Sequence, residues 1–236
     1  MFQYFYLLLL LVSPLSAETI SEYRIVMELS PPQQTLENGE ITGDIPEKVR
    51  SAFSKANIPF RLEMYPWNRA LELAKTEPNV FIVNIARTPE RESLFKWVQV
   101  IHRYQLGLVA LDDRSDLIIE SLDDAKHYTI AVQRGDIAYQ YLQNNGFSTV
   151  NNLFVTADIT ESWRLLSANK VDFVIDDPDN LAAMAKKTLA DGQKATFVYP
   201  LEELALDTWL AAHKDMSTLV IKRIQSDGSV KNWNGN

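Results

Sequence analysis

A chain of 236 residues, of which 46% are hydrophobic and 23% are charged, has the composition of an ordinary globular protein and the length for one large domain or two small ones. Its net charge of −8 argues against nucleic acid or an anionic membrane as the partner. The absence of cysteine excludes a disulfide framework, a thiolate metal site and a cysteine nucleophile.

Residues 1–17 differ in composition from the rest of the chain. An unbroken apolar run at 7–12 is followed by a small-residue end at Ser16-Ala17. This pattern is typical of a secretory signal peptide and is short for a membrane-spanning anchor. The sequence therefore predicts export to the periplasm, with a mature chain that begins near Glu18. An uncleaved interfacial anchor is the alternative.

After this leader the chain alternates strand-like and helical patterns. The predicted elements are strands at 22–29, 60–65 and 80–85, helices over 45–56 and 67–74, and a polar loop at 31–43. The run at 80–85 is largely apolar, as in a parallel strand that is buried on both faces. A βαβαβ order of this kind predicts a parallel sheet covered by helices.

A second alternation follows two further strands. The predicted elements are strands at 97–101, 106–111, 128–133, 153–157, 171–176, 195–200 and 208–213, and helices that open at Gly135-Asp136, Asp158, Pro178 and near Leu219. The chain thus makes one α/β unit, crosses to a second, and returns to the first for its last strand and helix.

Two crossings predict a two-lobed α/β protein with a double-stranded hinge, each lobe a mostly parallel sheet flanked by helices. Lobe 1 is expected to comprise 18–107 and 205–236, and lobe 2 to comprise 108–204. The ligand is expected in the cleft, because open α/β sheets bind ligands outside the carboxyl ends of their strands.

Common catalytic and cofactor motifs are absent from the sequence. It has no GxxxxGK[ST] phosphate loop, no GxGxxG fingerprint and no GxSxG nucleophile elbow. Its three histidines, His102, His127 and His213, lie far apart without metal-ligand spacing. We therefore predict no metal site, no cofactor and no catalytic residue.

Two arginines follow the third strand. The sequence NIARTPER (84–91) puts Arg87 and Arg91 beside a predicted helix start at Thr88-Pro89. Cations are disfavoured at this positive end of a helix dipole, and a bound anion would remove the conflict. Guanidinium groups also offer bidentate donors to a carboxylate. The alternative is that the arginines pair with nearby surface acids.

Other candidate side chains occupy comparable strand ends. Asp177 follows the strand at 171–176. Two roles are open for it: to hold a ligand's ammonium group, or to cap the helix that opens at Pro178. Asp136 is likewise a cleft residue or a plain N-cap. Trp67 lies on the apolar stripe of its helix, which favours core packing, although its first-turn position leaves the cleft open to it.

These motifs, in this order, resemble the family 3 periplasmic solute-binding proteins of amino-acid ABC transporters, which have a type II periplasmic binding fold. The resemblance covers nearly all of the mature chain. The segments that carry it are NGEITGDI (38–45), the helix start at Trp67, TPER (88–91) with Phe95 and Trp97, IAVQRGD (130–136), VDFVIDDP (171–178) and SDGSVKNW (226–233). It implies two α/β lobes that close over a ligand by hinge motion.

The resemblance also implies residue roles, position by position. Arg91 matches the arginine that grips the ligand's α-carboxylate, and Asp177 matches the aspartate that takes the α-ammonium group. Arg87, Asn84 and Trp67 are expected to shape specificity.

Three positions depart from the family pattern. Gly135-Asp136 stands where similar proteins commonly have Gly-Thr or Gly-Ser, and the Asp136 carboxylate would repel a ligand carboxylate unless an arginine offsets it. Ala86, where hydroxyl-bearing or backbone contacts are usual, has no side-chain donor. Residues 31–34 stand where an aromatic side chain often packs on the ligand.

We therefore expect a monomeric periplasmic protein that binds a small polar solute, an amino acid or a related carboxylate, for an ABC permease in the inner membrane. Neither a nucleic-acid partner nor enzymatic activity is expected. Two alternatives stay open. One is a ligand-sensing module that acts on a membrane partner, and the other is a dehydratase-like enzyme in which Asp136, Asp177 or Glu90 serves as acid or base.

Overall fold

The computed structural model describes residues 22–226, so the predicted signal peptide at 1–17 and most of the segment 226–233 lie outside the described residues. The strands of this range are β1 (Tyr23–Met27), β2 (Thr35–Glu37), β3 (Glu40–Thr42), β4 (Phe60–Met64), β5 (Val80–Ala86), β6 (Phe95–Leu111), β7 (Ile130–Gln133), β8 (Leu153–Thr156), β9 (Phe173–Asp176) and β10 (Ala195–His213). The helices are α1 (Asp44–Lys55), α2 (Trp67–Thr76), α3 (Ile137–Asn144), α4 (Ile159–Ser167), α5 (Leu181–Thr188) and α6 (Thr218–Gln225). None of the helices within 22–226 has the length and apolar character needed to cross a bilayer.

Eight of the strands form one continuous sheet in the order β4-β1-β5-β10-β6-β9-β7-β8. At one end β4, β1 and β5 are parallel, and at the other end β9, β7 and β8 are parallel. Between them β10 and β6 run antiparallel to each other and to their outer neighbours. The predicted two-lobed α/β fold, with a mostly parallel sheet in each half and a double-stranded connection, is confirmed.

The two connecting strands are longer than the sequence predicts. The separate strands expected at 97–101 and 106–111 are one strand, β6, and those expected at 195–200 and 208–213 are one strand, β10. The pair extends from Ala195 opposite Leu111 to His213 opposite Phe95, and its register shifts at four places, the longest of them between Pro200 and Ala205. The middle of each strand is polar and partly exposed, which is why the apolar pattern breaks there.

Buried side chains form four clusters that divide into two groups. Two clusters draw on residues 23–101 and 209–224, which pack on the faces of β1, β4 and β5. The other two draw on residues 106–206, which pack on the faces of β7 and β9. The predicted lobe boundaries at 107 and 205 fall in β6 and β10 between these groups, and the boundaries themselves stay a prediction.

The segment expected to be a polar loop contains a β-hairpin. Strands β2 and β3 pair antiparallel, with Glu37 opposite Glu40. The two residues between them, Asn38 and Gly39, both have positive φ, at 51° and 85°. Asn-Gly is the preferred pair for a two-residue hairpin turn of this kind, so the signal was present in the sequence although the flanking strands are short and polar.

The TPER segment does not begin a helix, contrary to the prediction. Residues 87–94 make consecutive turns, in which Arg91 N donates to Thr88 O at 3.0 Å and Leu94 N donates to Arg91 O at 3.0 Å. Strand β6 then begins at Phe95, which is buried in the core, so the chain extends before a helix can propagate. Without a helix there is no helix dipole beside the arginines, and the electrostatic conflict that suggested an anion does not exist.

Candidate binding site

A cavity of about 70 Å³ lies between the two halves of the molecule. Its wall includes residues at or just beyond the carboxyl ends of four strands: Glu28 after β1, Ala86 in β5, Gln133 in β7 and Asp176 in β9. This is the edge at which parallel sheets of open α/β proteins bind ligands. The charged residues of the wall are Glu28, Arg91, Asp136 and Asp176, and its uncharged polar residues are Ser30, Asn84, Tyr104, Gln133, Asn180 and Thr208.

Arg91 joins the two sides of this cavity. Its guanidinium donates from Nη1 to Ala86 O at 3.3 Å and from Nη2 to Gly135 O at 3.2 Å, and only 8% of the residue is exposed. Its Cζ lies 5.3 Å from the centre of a Trp67 ring, within cation–π range. Burial lowers the pKa of Arg91, and the nearby Asp136, Glu90 and Glu28 carboxylates oppose that effect. Arginine remains charged in proteins, so the guanidinium is a fixed cation of the cavity wall.

Trp67 and Gly135 make a second connection between the halves. Trp67 Nε1 donates to Gly135 O at 3.0 Å, and the indole is 3% exposed. Trp67 therefore packs in the core of the first half and also lines the cavity. Core packing and a place in the cleft, given as alternatives from the sequence, both describe it. Gly135 has a φ of +71°, and a Cβ there would lie 2.9 Å from Asn68 Oδ1. These two constraints explain a glycine at this position.

Asn84 lines the cavity and links three strands. It sits in β5 with a φ of +66°, a left-handed conformation that asparagine tolerates better than most residues. Its Nδ2 donates to the Tyr104 hydroxyl of β6, and its Oδ1 accepts from the Thr208 hydroxyl of β10. The Tyr104 hydroxyl also lies 2.9 Å from Ser30 Oγ. Asn84 therefore lies in the cavity wall with partners from the connecting strands, and its role in ligand binding stays a prediction.

The structure does not bring Arg87 to the cavity. Its Nε and Nη2 donate to the two carboxylate oxygens of Glu92 at 2.8 and 2.6 Å, and 39% of the side chain is exposed. The guanidinium carbon lies 5.4 Å from the Trp97 ring centre and 5.0 Å from that of Trp209. The alternative of a surface ion pair therefore describes Arg87, but not Arg91.

Asp177 is also absent from the cavity wall, and its neighbour Asp176 is present. Asp177 Oδ1 accepts from Asp179 N at 2.8 Å and caps a short 3₁₀ turn, while Oδ2 accepts from Gln105 N in β6 at 2.7 Å. Asp177 lies one residue beyond the end of β9, and both oxygens of its carboxylate are taken by these backbone N–H groups outside the cavity wall. The expected cavity carboxylate is thus displaced by one position.

The Asp176 carboxylate is held by three hydrogen bonds. Asp177 N and Asn180 Nδ2 donate to Oδ1 at 2.8 and 2.6 Å, and Trp163 Nε1 donates to Oδ2 at 2.7 Å. The residue is 4% exposed. Burial raises the pKa of Asp176 to about 6, although these donors oppose the rise.

Two more carboxylates line the cavity. Asp136 caps α3, because its Oδ1 accepts from Ala138 N at 2.7 Å, and it also forms part of the cavity wall. Burial raises the pKa of Asp136. The sequence analysis missed Glu28. Burial raises the pKa of Glu28, and the negative charges of Asp136 and Asp176 add to the rise, while a hydrogen bond with the Gln133 side chain and the charge of Arg91 oppose it.

Comparison with known proteins identifies the fold. No protein-family model matches the sequence, and no curated protein matches it. Solved structures do match, and they show that the chain has the fold of the periplasmic binding proteins. Membership of family 3 itself stays a prediction.

Three solved structures illustrate this likeness. A histidine kinase sensor domain with similarity to periplasmic binding proteins has a TM-score of 0.75 at 15% identity, over 87% of this chain and 88% of that one. An ancestral arginine-binding protein bound to arginine has a TM-score of 0.72 at 17% identity, over 87% and 89%. A periplasmic binding protein of the arginine 3rd transport system of Legionella pneumophila has a TM-score of 0.70 at 19% identity, over 87% and 91%.

Proposed function

We propose that this protein is a periplasmic solute-binding protein that captures a small polar molecule in the cavity between its two halves. The observation that carries the proposal is a buried guanidinium and three carboxylates on the wall of one cavity, to which both halves contribute. Charged groups at such depth are normally paired within the protein or reserved for a ligand. The fold shared with arginine-binding proteins supports binding rather than catalysis.

The chemistry of the wall suggests how a solute would be held. Arg91 retains N–H donors beyond the two that bind backbone carbonyls, and these would bind an anionic group of the ligand, such as the α-carboxylate of an amino acid. Asp176 takes the role predicted for Asp177 and would accept from an ammonium group. Closure of the halves would exclude water and strengthen both charge contacts.

The cellular role we propose is delivery to a membrane partner. The leader-like segment at 1–17 supports export to the periplasm, where the protein would act as a monomer and pass its solute to an ABC permease of the inner membrane. The likeness to a transport-system binding protein supports this role.

Sensing is the second candidate, and the likeness to a histidine kinase sensor domain favours it. In that role the liganded form would bind a membrane-embedded signalling protein instead of a permease. A pull-down of membrane proteins with liganded and ligand-free protein separates the two roles by the identity of the captured partner.

A thermal-shift screen tests the binding function. The purified protein would be screened against amino acids, di- and tricarboxylates, polyamines and small sugars. A ligand at a hundred times its Kd stabilises the folded state by about 2.7 kcal/mol, which such a screen detects. We expect a stabilising ligand in this set.

Two arginine variants then locate the site. We expect Arg91→Ala to abolish the stabilisation by the ligand, while Arg87→Ala, four residues away and outside the cavity wall, retains it. Loss of the response in both variants, or in neither, would contradict a role for Arg91 in binding. No stabilisation by any of the four solute classes would contradict the proposed function.

A further inference from the structure

The charges of the cavity wall do not balance. Three carboxylates, Glu28, Asp136 and Asp176, face one guanidinium, Arg91, which leaves a net charge of minus two when all four are ionised. We propose that the solute is a small organic cation of net positive charge, with ammonium or guanidinium groups that bind these carboxylates. This inference rests on the proposed binding function and narrows its ligand.

Within the described residues 22–226, no second cation of the cavity wall compensates this imbalance. Arg91 is the only lysine or arginine among the described residues of the cavity wall. The donors that reach Asp176 are an indole, an amide and a backbone N–H group, all of which are neutral. These hydrogen bonds orient the carboxylate without cancelling its charge, so the ionised wall carries a negative potential, which a cationic ligand or protonation of the carboxylates neutralises.

Two uncharged polar side chains of the wall also have acceptor oxygens without hydrogen-bond donors. The side-chain carbonyl oxygens Gln133 Oε1 and Asn180 Oδ1 are buried and have no hydrogen-bond partner. Both residues line the cavity, and they are only 9% and 4% exposed. Buried acceptors are nearly always satisfied in folded proteins, and these two are free to accept from the N–H groups of a ligand.

An organic cation fits better than a metal ion. Within residues 22–226, no three acidic or histidine side chains gather closely enough to hold a metal. The wall also contains apolar side chains, among them Trp67, Leu106, Ile159 and Met184, which would contact the carbon atoms of an organic ligand.

The raised pKa values of the three carboxylates agree with this assignment. Burial raises the pKa of Glu28, Asp136 and Asp176, and the mutual repulsion of these groups adds to the effect at Glu28. The other titratable groups that face these three are Arg91, Tyr104 and Asp177, and the Asp177 charge further raises the pKa of Asp176. A bound cation would lower the three pKa values, so binding near pH 6 should release protons.

Calorimetric titration of the purified protein at pH 7.5 tests the charge of the ligand. The probes are arginine, lysine and putrescine as cations, glutamine as a neutral amino acid and glutamate as an anion. We expect at least one cation to bind about tenfold or more tightly than glutamine, and glutamate not to bind. If arginine or lysine binds and putrescine does not, the ligand also needs a carboxylate that contacts Arg91. If putrescine binds, ammonium groups alone are sufficient. Either result supports the inference.

A matched pair of variants removes one charge inside and one outside the cavity. Glu28→Gln keeps the side-chain size and should weaken cation binding by about tenfold or more, with little effect on neutral ligands. Glu202→Gln, at an exposed position of β10 outside the cavity wall, should leave cation binding unchanged. If Glu28→Gln does not fold, Asp136→Asn replaces it, because asparagine still caps α3.

Three results would overturn the inference. Glutamine or glutamate could bind as tightly as every cation, Glu28→Gln could leave the ratio of cation to neutral affinity unaltered, or binding near pH 6 could release no protons. Each of these leaves the proposed binding function in place. Failure of every probe, together with a negative thermal-shift screen, would instead contradict the binding function itself.

Discussion

Glu28 and Glu63 lie near the ends of neighbouring parallel strands, β1 and β4, yet the fold treats their charges in opposite ways. Glu63 accepts from Arg24 Nη2 at 2.7 Å and from Arg61 Nε at 2.6 Å. Although burial opposes the change, these donors lower the pKa of Glu63 to about 2. Glu28 has no such guanidinium contact, and burial and neighbouring carboxylates raise its pKa.

The comparison distinguishes two kinds of carboxylate. One kind is neutralised by arginines of the protein and stabilises the fold, and the other kind is left for a ligand to neutralise. At Glu63 the protein supplies the opposite charge itself, so ionisation favours the folded state. In the cavity the protein supplies hydrogen-bond donors but too few cations, so ionisation of the carboxylates opposes folding until a ligand binds. The same residue type therefore has opposite consequences for stability on two neighbouring strands.

The largest expected effect concerns Asp176 in the ligand-free protein. Its pKa of about 6, against an ordinary value of 3.8, means that the folded state holds this proton more tightly than the unfolded chain does. Stability should therefore fall as the pH rises from about 4 to about 6, by about 3 kcal/mol for this group. Urea unfolding of the wild type and Asp176→Asn between pH 4 and pH 7 measures the effect as a difference between the two proteins.

That difference isolates one group from the others that titrate in the same range. Asp176→Asn also alters a hydrogen bond to Trp163, but this offset does not depend on pH. If the difference in unfolding free energy between the wild type and Asp176→Asn stays constant from pH 4 to pH 7, the pKa of Asp176 is not raised. The contrast between the cavity carboxylates and Glu63 would then fail.

The next effect concerns the compensated side. Arg24→Met leaves Glu63 and Glu77 without their shared guanidinium, whose side chain is 15% exposed. We expect a loss of about 2 kcal/mol at pH 7, between the values typical of exposed and of buried ion pairs. Because the pKa of Glu63 is lowered, its contribution is present above pH 4.5 and is lost as the pH falls towards 2, so the effect of the substitution should shrink in acid.

Arg103→Met is the control for this prediction. Arg103 pairs with Asp207 at 3.0 Å, but the two side chains are 64% and 50% exposed. Its loss should cost less than about 0.5 kcal/mol at any pH. Equal effects of the two substitutions in urea unfolding would show that burial does not distinguish the ion pairs.

The secondary structure and the fold class followed from local patterns. Long apolar periodicities predicted the strands and helices of both halves, and the two crossings of the chain predicted the double-stranded connection. The errors in the predicted strand boundaries lie where contacts between distant parts of the chain determine the structure. The polar middle of β6 and of β10 suggested two strands each, because exposure of a crossing segment cannot be read from its own residues.

The candidate site was predictable only in part, for two physical reasons. Arg91, Trp67, Asn84 and Asp136 line the cavity, as the strand-end argument predicts. Asp177 is not among the wall residues, because its carboxylate accepts from Asp179 N and Gln105 N, whereas Asp176 is among them. Glu28 was missed because the apolar pattern made it part of the first strand, which in fact ends at Met27.

Other wall residues carry no local signal at all. Tyr104 and Thr208 reach the cavity from the two connecting strands, and their contacts with Asn84 span 20 and 124 positions of the chain. The pairing of β10 with β5 on one side and with β6 on the other brings them to Asn84, so a reading of strand ends alone does not find them.

The smallest of the expected effects tests what joins the cavity walls in the absence of a ligand. Trp67→Phe removes the bond from Nε1 to Gly135 O, one of the neutral contacts between the halves, and should lower the unfolding free energy by about 1 kcal/mol. Trp97→Phe is the control, because its indole donates only to Glu92 O, at 3.4 Å, in the turn that precedes β6 and not across the cavity. Urea unfolding should show the larger loss for Trp67→Phe. Equal losses of unfolding free energy would show that the bond from Trp67 to Gly135 does not hold the cavity walls together. In that case, repulsion between the uncompensated carboxylates would keep the ligand-free cavity open.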